Sequence, residues 1–306
     1  MEQLLSLLKT IPEYAAMVSS LQDGESVAVT GIGQINRSHM IAGLCRSLNR
    51  PMVVLCQDDL AARRLQEELK GFLADTAPIL PGRDLPLYHA AVVSRSWEQK
   101  RLRQLYDLAV GKTGLQIMTW ESLSLRTMPK AALLSAAFSL EVGREYAVED
   151  LTSRLTAAGY NRCGMVEGPG QFAVRGGILD IFSPAEDRPV RAEFFGDELD
   201  TMGFFDPATQ RRSENITSVT VLPVAETQPG LHPGGVEGLC KDITSLISRQ
   251  KRRKNINEPL IATLEKDLNK YESGLHNPAS DRYMALIYPE MATAADYIPD
   301  GAVVAV

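Results

Sequence analysis

The sequence predicts an α/β protein in which a parallel-sheet domain carries a smaller inserted α+β domain. Strand, glycine-loop and helix patterns alternate through residues 1–128, as they do in a parallel sheet. Short β-type runs separated by glycine pairs and Pro/Asp clusters fill residues 129–224, as in an antiparallel meander. The final run GAVVAV has the pattern of an apolar strand. We therefore expect residues 225–306 to return to the first sheet and the chain to be a fragment of a longer protein.

Apolar runs and turn residues place the elements in order. In the first domain we expect strands at 26–30, Met52–Cys56, 78–80 and Leu115–Thr119, and helices at 37–48, 58–73 and 96–110. In the inserted domain we expect strands at 138–142, Gln171–Arg175, 178–182, Val190–Phe195 and 213–223, with a helix at 148–158. Two further helices are expected near 236–247 and 257–271.

Composition limits the function classes. Hydrophobic residues make up 44% and charged residues 23% of the 306 residues, as in an ordinary soluble globular protein. The net charge of −6 argues against nucleic-acid binding by the whole surface. The four cysteines are scattered, without a CxxC pair, which predicts neither a disulfide framework nor a zinc site. No apolar run reaches the roughly 18 residues of a membrane span, and we expect a soluble, cytoplasmic protein without a membrane partner.

The loop TGIGQIN has the position of a phosphate-binding P-loop, between a predicted strand and a predicted helix. A P-loop reads GxxxxGK[ST], in which the Lys reaches the phosphates and the hydroxyl binds Mg²⁺. If Gly33 takes the place of the glycine before the Lys, Gln34 stands at the Lys position and Ile35 at the Ser/Thr position. We interpret the loop, from Gly31 to Ile35, as a degenerate nucleotide site that has lost ATP binding, so no cofactor is expected. An unrelated glycine turn is the alternative.

The central meander contains an acidic residue on an otherwise apolar strand. Asp180 shares one face with Ile178 and Phe182, so its carboxylate needs a partner. Arg175, Arg188 and Arg191 are candidates for that partner. One interpretation is a structural ion pair within a small sheet.

Two basic segments are candidates for contacts with phosphates. The first is the helix after Ser96, with Arg95, Lys100, Arg101 and Arg103, and the second is the run 249–254, RQKRRK. Acidic neighbours dilute the first segment, and runs of this kind usually form solvated helix faces or ends. We therefore favour a solvated surface over a nucleic-acid site in both cases.

The central sequence resembles the module shared by the UvrB/Mfd family of repair proteins, that is, the excinuclease subunit UvrB and the transcription-repair coupling factors. The resemblance rests on FAVRGGILDIFSP and RAEFFGDELDTMGFFDPATQ, and on the preceding AAGYNRCGMVEGPGQF, which is closer to Mfd than to UvrB. The opening VAVTGIGQINRSHMIAGL is similar to a degenerate form of the VTGSGKT segment of UvrB. The likeness is strongest over 159–213, good over 26–125 and weak after 230.

The resemblance implies a degenerate P-loop, helicase-like domain with an inserted domain that docks UvrA. It implies a non-catalytic module that recruits UvrA to stalled RNA polymerase in transcription-coupled nucleotide excision repair. RNA polymerase and DNA are expected to bind only other parts of the full-length family member, an ATP-dependent DNA translocase. The segment 85–97 is too short, and with Tyr88 alone too poor in aromatics, for the DNA-damage hairpin of UvrB.

The family pattern also suggests which residues meet UvrA. Arg162, Arg175 and Phe182 match it, and Arg191 and Phe172 are secondary candidates. Arginines and aromatics on a rigid sheet are typical of interface hot spots. Alternatively, Arg175 only neutralises Asp180, and the two phenylalanines belong to the core.

Two other function classes stay open from the sequence. One is an ATPase or helicase-related protein whose nucleotide loop uses Arg37 in place of the missing Lys. The other is a DNA-binding module that uses the two basic segments. Saturable ATP binding distinguishes the first, and a salt-dependent shift of duplex DNA the second.

Overall fold

The computed structural model describes residues 2–83, 96–275 and 277–306, with the side chains of Glu2, Gln34 and Ile35 left aside. The sequence predictions for Arg95 and for most of the segment 85–97, including Tyr88, fall outside the described residues. The helices are Glu2–Leu8 (α1), Pro12–Gln22 (α2), Gln34–Leu48 (α3), Asp59–Leu69 (α4), Ser96–Ala109 (α5), Trp120–Ser124 (α6), Lys130–Ala136 (α7), Val148–Ala157 (α8), Gly235–Lys251 (α9), Glu258–Glu272 (α10) and Met284–Ile287 (α11). The strands are Met52–Cys56 (β1), Leu115–Thr119 (β2), Phe138–Glu141 (β3), Asn161–Arg162 (β4), Gln171–Arg175 (β5), Ile178–Ile181 (β6), Val190–Phe195 (β7), Glu198–Phe205 (β8), Arg212–Asn215 (β9), Ser218–Val221 (β10) and Val303–Ala305 (β11).

The chain divides into two compact units. Of the described residues, 2–83, 104–126 and 293–306 form unit 1, and 96–103, 127–275 and 277–292 form unit 2. The domain boundaries predicted from the sequence follow residues 128 and 224, and the whole of 225–306 is predicted to belong to the first domain. In the structure, residues 225–292 belong to unit 2 instead. They are held there by hydrogen bonds such as Gln228 Nε2 to Ala158 O (3.4 Å) and Arg101 Nε to Glu226 Oε1 (2.9 Å).

Unit 1 is built on a parallel sheet with the strand order β11-β1-β2. Val53 is in register with Val304 on one side and with Gln116 on the other. All residues of β1 and β2 are buried, as expected for parallel strands covered on both faces. Side chains from α1 to α4, such as Leu5, Ala42 and Leu69, form the core around them. The predicted α/β class is confirmed, whereas the helicase-like P-loop fold stays a prediction.

The strand predicted at residues 26–30 is wrong. These residues are irregular, and Val27 and Val29 are 38% and 49% exposed. A strand needs the main-chain groups of a neighbouring strand, and residues 26–30 pair with neither outer strand of this sheet, β11 or β2. At the strand predicted at 78–80, the structure has an isolated parallel bridge between Ile79 and Ile117.

Unit 2 contains a six-stranded sheet with the order β4-β5-β6-β7-β8-β9. The short strand β4 is parallel to β5, and the other neighbouring pairs are antiparallel. One face of this sheet packs on Leu151 and Leu155 of α8 through residues that include Phe172, Leu179 and Val190. The sequence missed β8, and the strand predicted at 213–223 is two strands, β9 and β10, of which β10 pairs with β3.

The rest of unit 2 includes a helical hairpin formed by α9 and α10. Leu239, Ile243 and Ile247 of α9 are buried, as are Ile261 and Leu264 of α10. Among the described residues, every helix is too short or too polar to cross a lipid bilayer.

Candidate functional site: one end of the six-stranded sheet

Two tight turns lie at one end of the six-stranded sheet, here called the turn end. Gly176 and Gly177 join β5 to β6, and Gly196 and Asp197 join β7 to β8. Gly176 and Gly196 have φ angles of +58° and +64°, which L side chains rarely adopt. A Cβ on Gly177 would lie 2.8 Å from the main-chain oxygen of Phe194, so a glycine is needed for the first turn to reach β7.

A buried carboxylate fixes the neighbouring arginines. Asp180 is fully buried and lies in register with Arg191 on the next strand. The Nε and Nη2 atoms of Arg191 donate to its two oxygens at 2.7 and 2.9 Å, and Nη2 of Arg175 donates to Oδ2 at 2.5 Å. Hydrogen bonding to Asp180 raises the pKa of Arg191. The carboxylate thus accepts charge-assisted hydrogen bonds from two guanidinium groups.

The two arginines differ in what they offer to a partner. The Arg191 side chain is 16% exposed, lies 4.6 Å from the ring centre of Phe205 and donates to the main chain of Gln210. The Arg175 side chain is 45% exposed and stands beside the first turn. Arg191 therefore holds the carboxylate, and Arg175 presents charge to solvent in a fixed orientation.

The third candidate partner of Asp180, Arg188, is not part of this cluster. Its Nη2 atom donates to Glu214 at 2.7 Å, and its guanidinium lies 4.4 Å from the ring centre of Phe204. Arg188 precedes β7, at the end of the sheet opposite the turn end.

The two predicted phenylalanines lie in the core. Phe172 is fully buried, and Phe182 is 8% exposed and packs with Val166, Ala173 and Phe205. Phe172 therefore offers no surface to a partner, and Phe182 offers little. Their burial follows from the alternation of the strand, which directs them to opposite faces of the sheet, each covered by apolar side chains.

Arg162 lies apart from the Asp180 cluster. It is exposed on the edge strand β4 and pairs in register with Phe172, whose neighbour Ala173 pairs with Asp180. Successive residues of a strand face opposite sides, so the register places Arg162 on the other face from Asp180. Within the described part of the chain it has no ion-pair partner. The structure brings Arg175 and Arg191 together and leaves Arg162 separate.

The most exposed aromatic residue at the turn end is not among the site residues predicted from the sequence. Phe195 is the last residue of β7, and 83% of its surface is exposed. A register shift between Glu193 and Phe194 precedes it. The sequence signal was present, since an aromatic pair directly before Gly-Asp marks a hairpin tip, where the last side chain has few neighbours.

The proposed nucleotide loop leads into a helix. Gly31 has a φ angle of +81°, and Gly33 caps α3, which begins at Gln34. Helix α3 has no acidic residue in its first turn. The side chains of Gln34 and Ile35 lie outside the described residues, so the loss of ATP binding stays a prediction. Within the described chain, no three His, Cys, Asp or Glu residues are grouped to hold a metal ion.

Comparison with known proteins connects this sheet to a family. Residues 138–226 match the family model of the UvrB interaction domain, which includes α8 and all strands of the six-stranded sheet. The chain is 25% identical over 304 residues to a transcription-repair-coupling factor of Bacillus subtilis (strain 168), and that match covers 98% of this chain. The chain is an Mfd/UvrB-like region.

Other relatives of this Mfd/UvrB-like region have the same name. A transcription-repair-coupling factor of Myxococcus xanthus is 32% identical over 221 residues, which is 70% of this chain and 18% of the relative. One of Staphylococcus aureus (strain Mu50 / ATCC 700699) is 27% identical over 282 residues, or 91% of this chain and 24% of the relative. The chain spans 26% of the length of the Bacillus subtilis protein. The activities of the whole relatives therefore do not transfer directly to this chain.

Proposed function

We propose that this Mfd/UvrB-like region is a non-catalytic docking module of DNA repair, which binds UvrA through the turn end of its UvrB interaction domain. As part of a longer protein, it recruits UvrA to stalled RNA polymerase. The match to a UvrB interaction domain and the names of the relatives support this role. The observation that carries the proposal is that the half-exposed Arg175 and the exposed Phe195 lie at the same end of one sheet.

The chemistry of these two side chains fits an interface hot spot. Arginine and aromatic residues are over-represented at such positions, and their contribution is greatest when little ordering is needed on binding. The Asp180 carboxylate restrains Arg175, and the contact of the Gly177 turn with β7 restrains the tip that carries Phe195. A partner carboxylate can pair with the exposed part of the Arg175 guanidinium, while Phe195 enters an apolar pocket.

The roles of the other predicted residues follow from their positions. Arg191 acts indirectly, because it holds Asp180 and through it Arg175. Arg162 belongs to a second, separate contact on the edge strand if UvrA extends around the sheet. Phe172 and Phe182 support the sheet from within.

Size-exclusion co-elution with purified UvrA, followed by a titration of binding, tests the proposal. Arg175→Ala and Phe195→Ala are each expected to weaken binding by at least about tenfold, since hot-spot truncations cost about 2 kcal/mol or more. Alanine is preferred to glutamate at position 175, because a new carboxylate would lie beside the buried Asp180. Arg162→Ala measures the contribution of the edge strand.

Arg188→Ala is the matched control, since Arg188 is 46% exposed and lies at the opposite end of the same sheet. It is expected to leave binding unchanged within about twofold. If Arg175→Ala and Phe195→Ala both bind UvrA as the unmodified chain does, the turn end is not the docking surface. If the unmodified chain does not bind UvrA, the proposed function itself fails.

A further inference from the structure

The tip of the helical hairpin in unit 2 concentrates positive charge. Residues 249–254 form the end of α9 and the start of its connection to α10, and they include five basic residues in six positions: Arg249, Lys251, Arg252, Arg253 and Lys254. All five are exposed. This concentration contrasts with the net charge of −6 of the whole chain. We call these five residues the basic tip.

Most of the basic tip has no internal electrostatic role. Lys251 pairs with Glu265 at 2.8 Å, whereas the other four cations have no ion-pair partner within the described part of the chain. Arg249 and Lys251 lie in the last turn of α9, where the helix dipole favours cations. The helix ends before the next three cations, Arg252, Arg253 and Lys254. The helix dipole therefore does not explain why three consecutive positive charges occur there.

Near the tip, the five cations outnumber two acids, Glu258 at the start of α10 and Glu265, which pairs with Lys251. Two further acids lie at the other end of the hairpin. Glu237 and Glu272 line an open groove at the start of α9 and the end of α10. The 17 residues of α9 separate this end from the tip by about 25 Å, at 1.5 Å per residue. Exposed charges separated by more than the Debye length of about 8–10 Å are largely screened. The basic tip therefore presents a positive potential that these acids do not cancel.

We propose that the basic tip is a sequence-independent contact for the phosphate backbone of duplex DNA. Its cations are exposed and close together, and duplex DNA carries one negative charge per about 1.7 Å of axis. Binding of the cations releases condensed counterions from DNA, and this release favours the complex. An acidic surface of a partner protein would not provide the same favourable contribution. The described tip carries no aromatic side chain that stacks on bases, so its contacts position the backbone and do not read sequence. This inference concerns a different surface and partner from the proposed UvrA site.

Fluorescence anisotropy of a labelled 30-base-pair duplex, titrated with the 306-residue chain between 25 and 200 mM salt, tests the proposal. Four unpaired cations predict a slope of log K against log salt of about −3 to −4, from about 0.9 per phosphate contact. Affinity is then expected to fall on the order of 100-fold between 50 and 200 mM salt. The triple variant Arg252→Glu/Arg253→Glu/Lys254→Glu is expected to lose at least tenfold in affinity at 50 mM salt and most of the slope.

The matched control changes three exposed cations of unit 1, in Lys9→Glu/Arg63→Glu/Arg64→Glu, with the same change in net charge. It is expected to keep most of the slope. An equal loss in both variants would show that net charge alone governs binding, and it would overturn the proposal. The proposal would also be overturned if the chain did not bind the duplex at 25 mM salt. The same holds if the chain bound a polyglutamate peptide in preference to the duplex. The triple glutamine variant of the tip, which adds no acid, is expected to reproduce the loss if charge at the tip is the cause.

Discussion

The Asp180 cluster makes a quantitative prediction about two arginines that share one carboxylate. Arg191→Ala removes two hydrogen bonds, at 2.7 and 2.9 Å, from a fully buried carboxylate. Truncating one partner of a buried pair typically costs about 3–5 kcal/mol, because the other charge is left buried. Since Arg175 still contacts Asp180, we expect about 3 kcal/mol. Arg175→Ala leaves the bidentate pair intact and removes a half-exposed partner, so the expected cost is at most about 1 kcal/mol.

Urea unfolding followed by circular dichroism measures both free energies of unfolding. In thermal unfolding, with about 2–4 °C per kcal/mol for 150–250 residues, Arg191→Ala is expected to lower Tm by about 6–12 °C and Arg175→Ala by less than about 4 °C. The control is Arg188→Ala, which breaks an exposed pair with Glu214 and is expected to cost at most about 1 kcal/mol. Equal destabilisation by Arg175→Ala and Arg191→Ala would refute the division of roles between a holding and a presenting arginine.

Two further predictions concern unit 1. Isothermal titration with Mg²⁺-ATP is expected to show no saturable binding, because Gln34 and Ile35 replace the Lys and the hydroxyl of a P-loop, and a dissociation constant below about 1 mM would contradict the degenerate-loop interpretation. Burial raises the pKa of Cys45 from 9.0 to about 11, so its contribution to folding is complete below pH 9 and is lost as the pH rises toward 11. Between pH 8 and 10.5 the free energy of unfolding of the unmodified chain should therefore fall by about 2 kcal/mol more than that of Cys45→Ala, and parallel pH profiles would argue against a buried thiol.

The sequence predicted those elements whose signal is local. The strands β1, β2, β5 and β7 have the predicted bounds, because apolar runs next to a proline or a glycine define each of them without reference to the rest of the chain. The strand expected at 26–30 does not form, because an apolar run becomes a strand only where it pairs with another one, and these residues pair with none of β11, β1 and β2. The strand β8 was missed because its sequence, ELDTMGFF, interrupts the apolar pattern with Gly203, where a Cβ would lie 2.6 Å from the main-chain oxygen of Glu214.

The candidate site was predictable in chemistry and not in geometry. The sequence shows that Asp180 needs a cation and offers three arginines, but the choice among them depends on the register that aligns Asp180 with Arg191. The exposure of Phe195 depends in the same way on the register shift before it and on the tight turn after it. Neither is visible in residue types alone, because both arise from the pairing of strands.

The pairing of β1 with β11 has a consequence for biogenesis. Met52 meets Val303 only after 250 intervening residues have left the ribosome, so the closing contact of the parallel sheet has a very high contact order. Until then, one side of a fully apolar strand is open to other nascent chains, as edge strands are. The six-stranded sheet, whose strands lie between β1 and β11 in the sequence, joins strands that are close along the chain. This sheet can therefore form earlier during translation. Mutations that slow elongation across the intervening region would therefore prolong the aggregation-prone period of β1, even when the native state is unaffected.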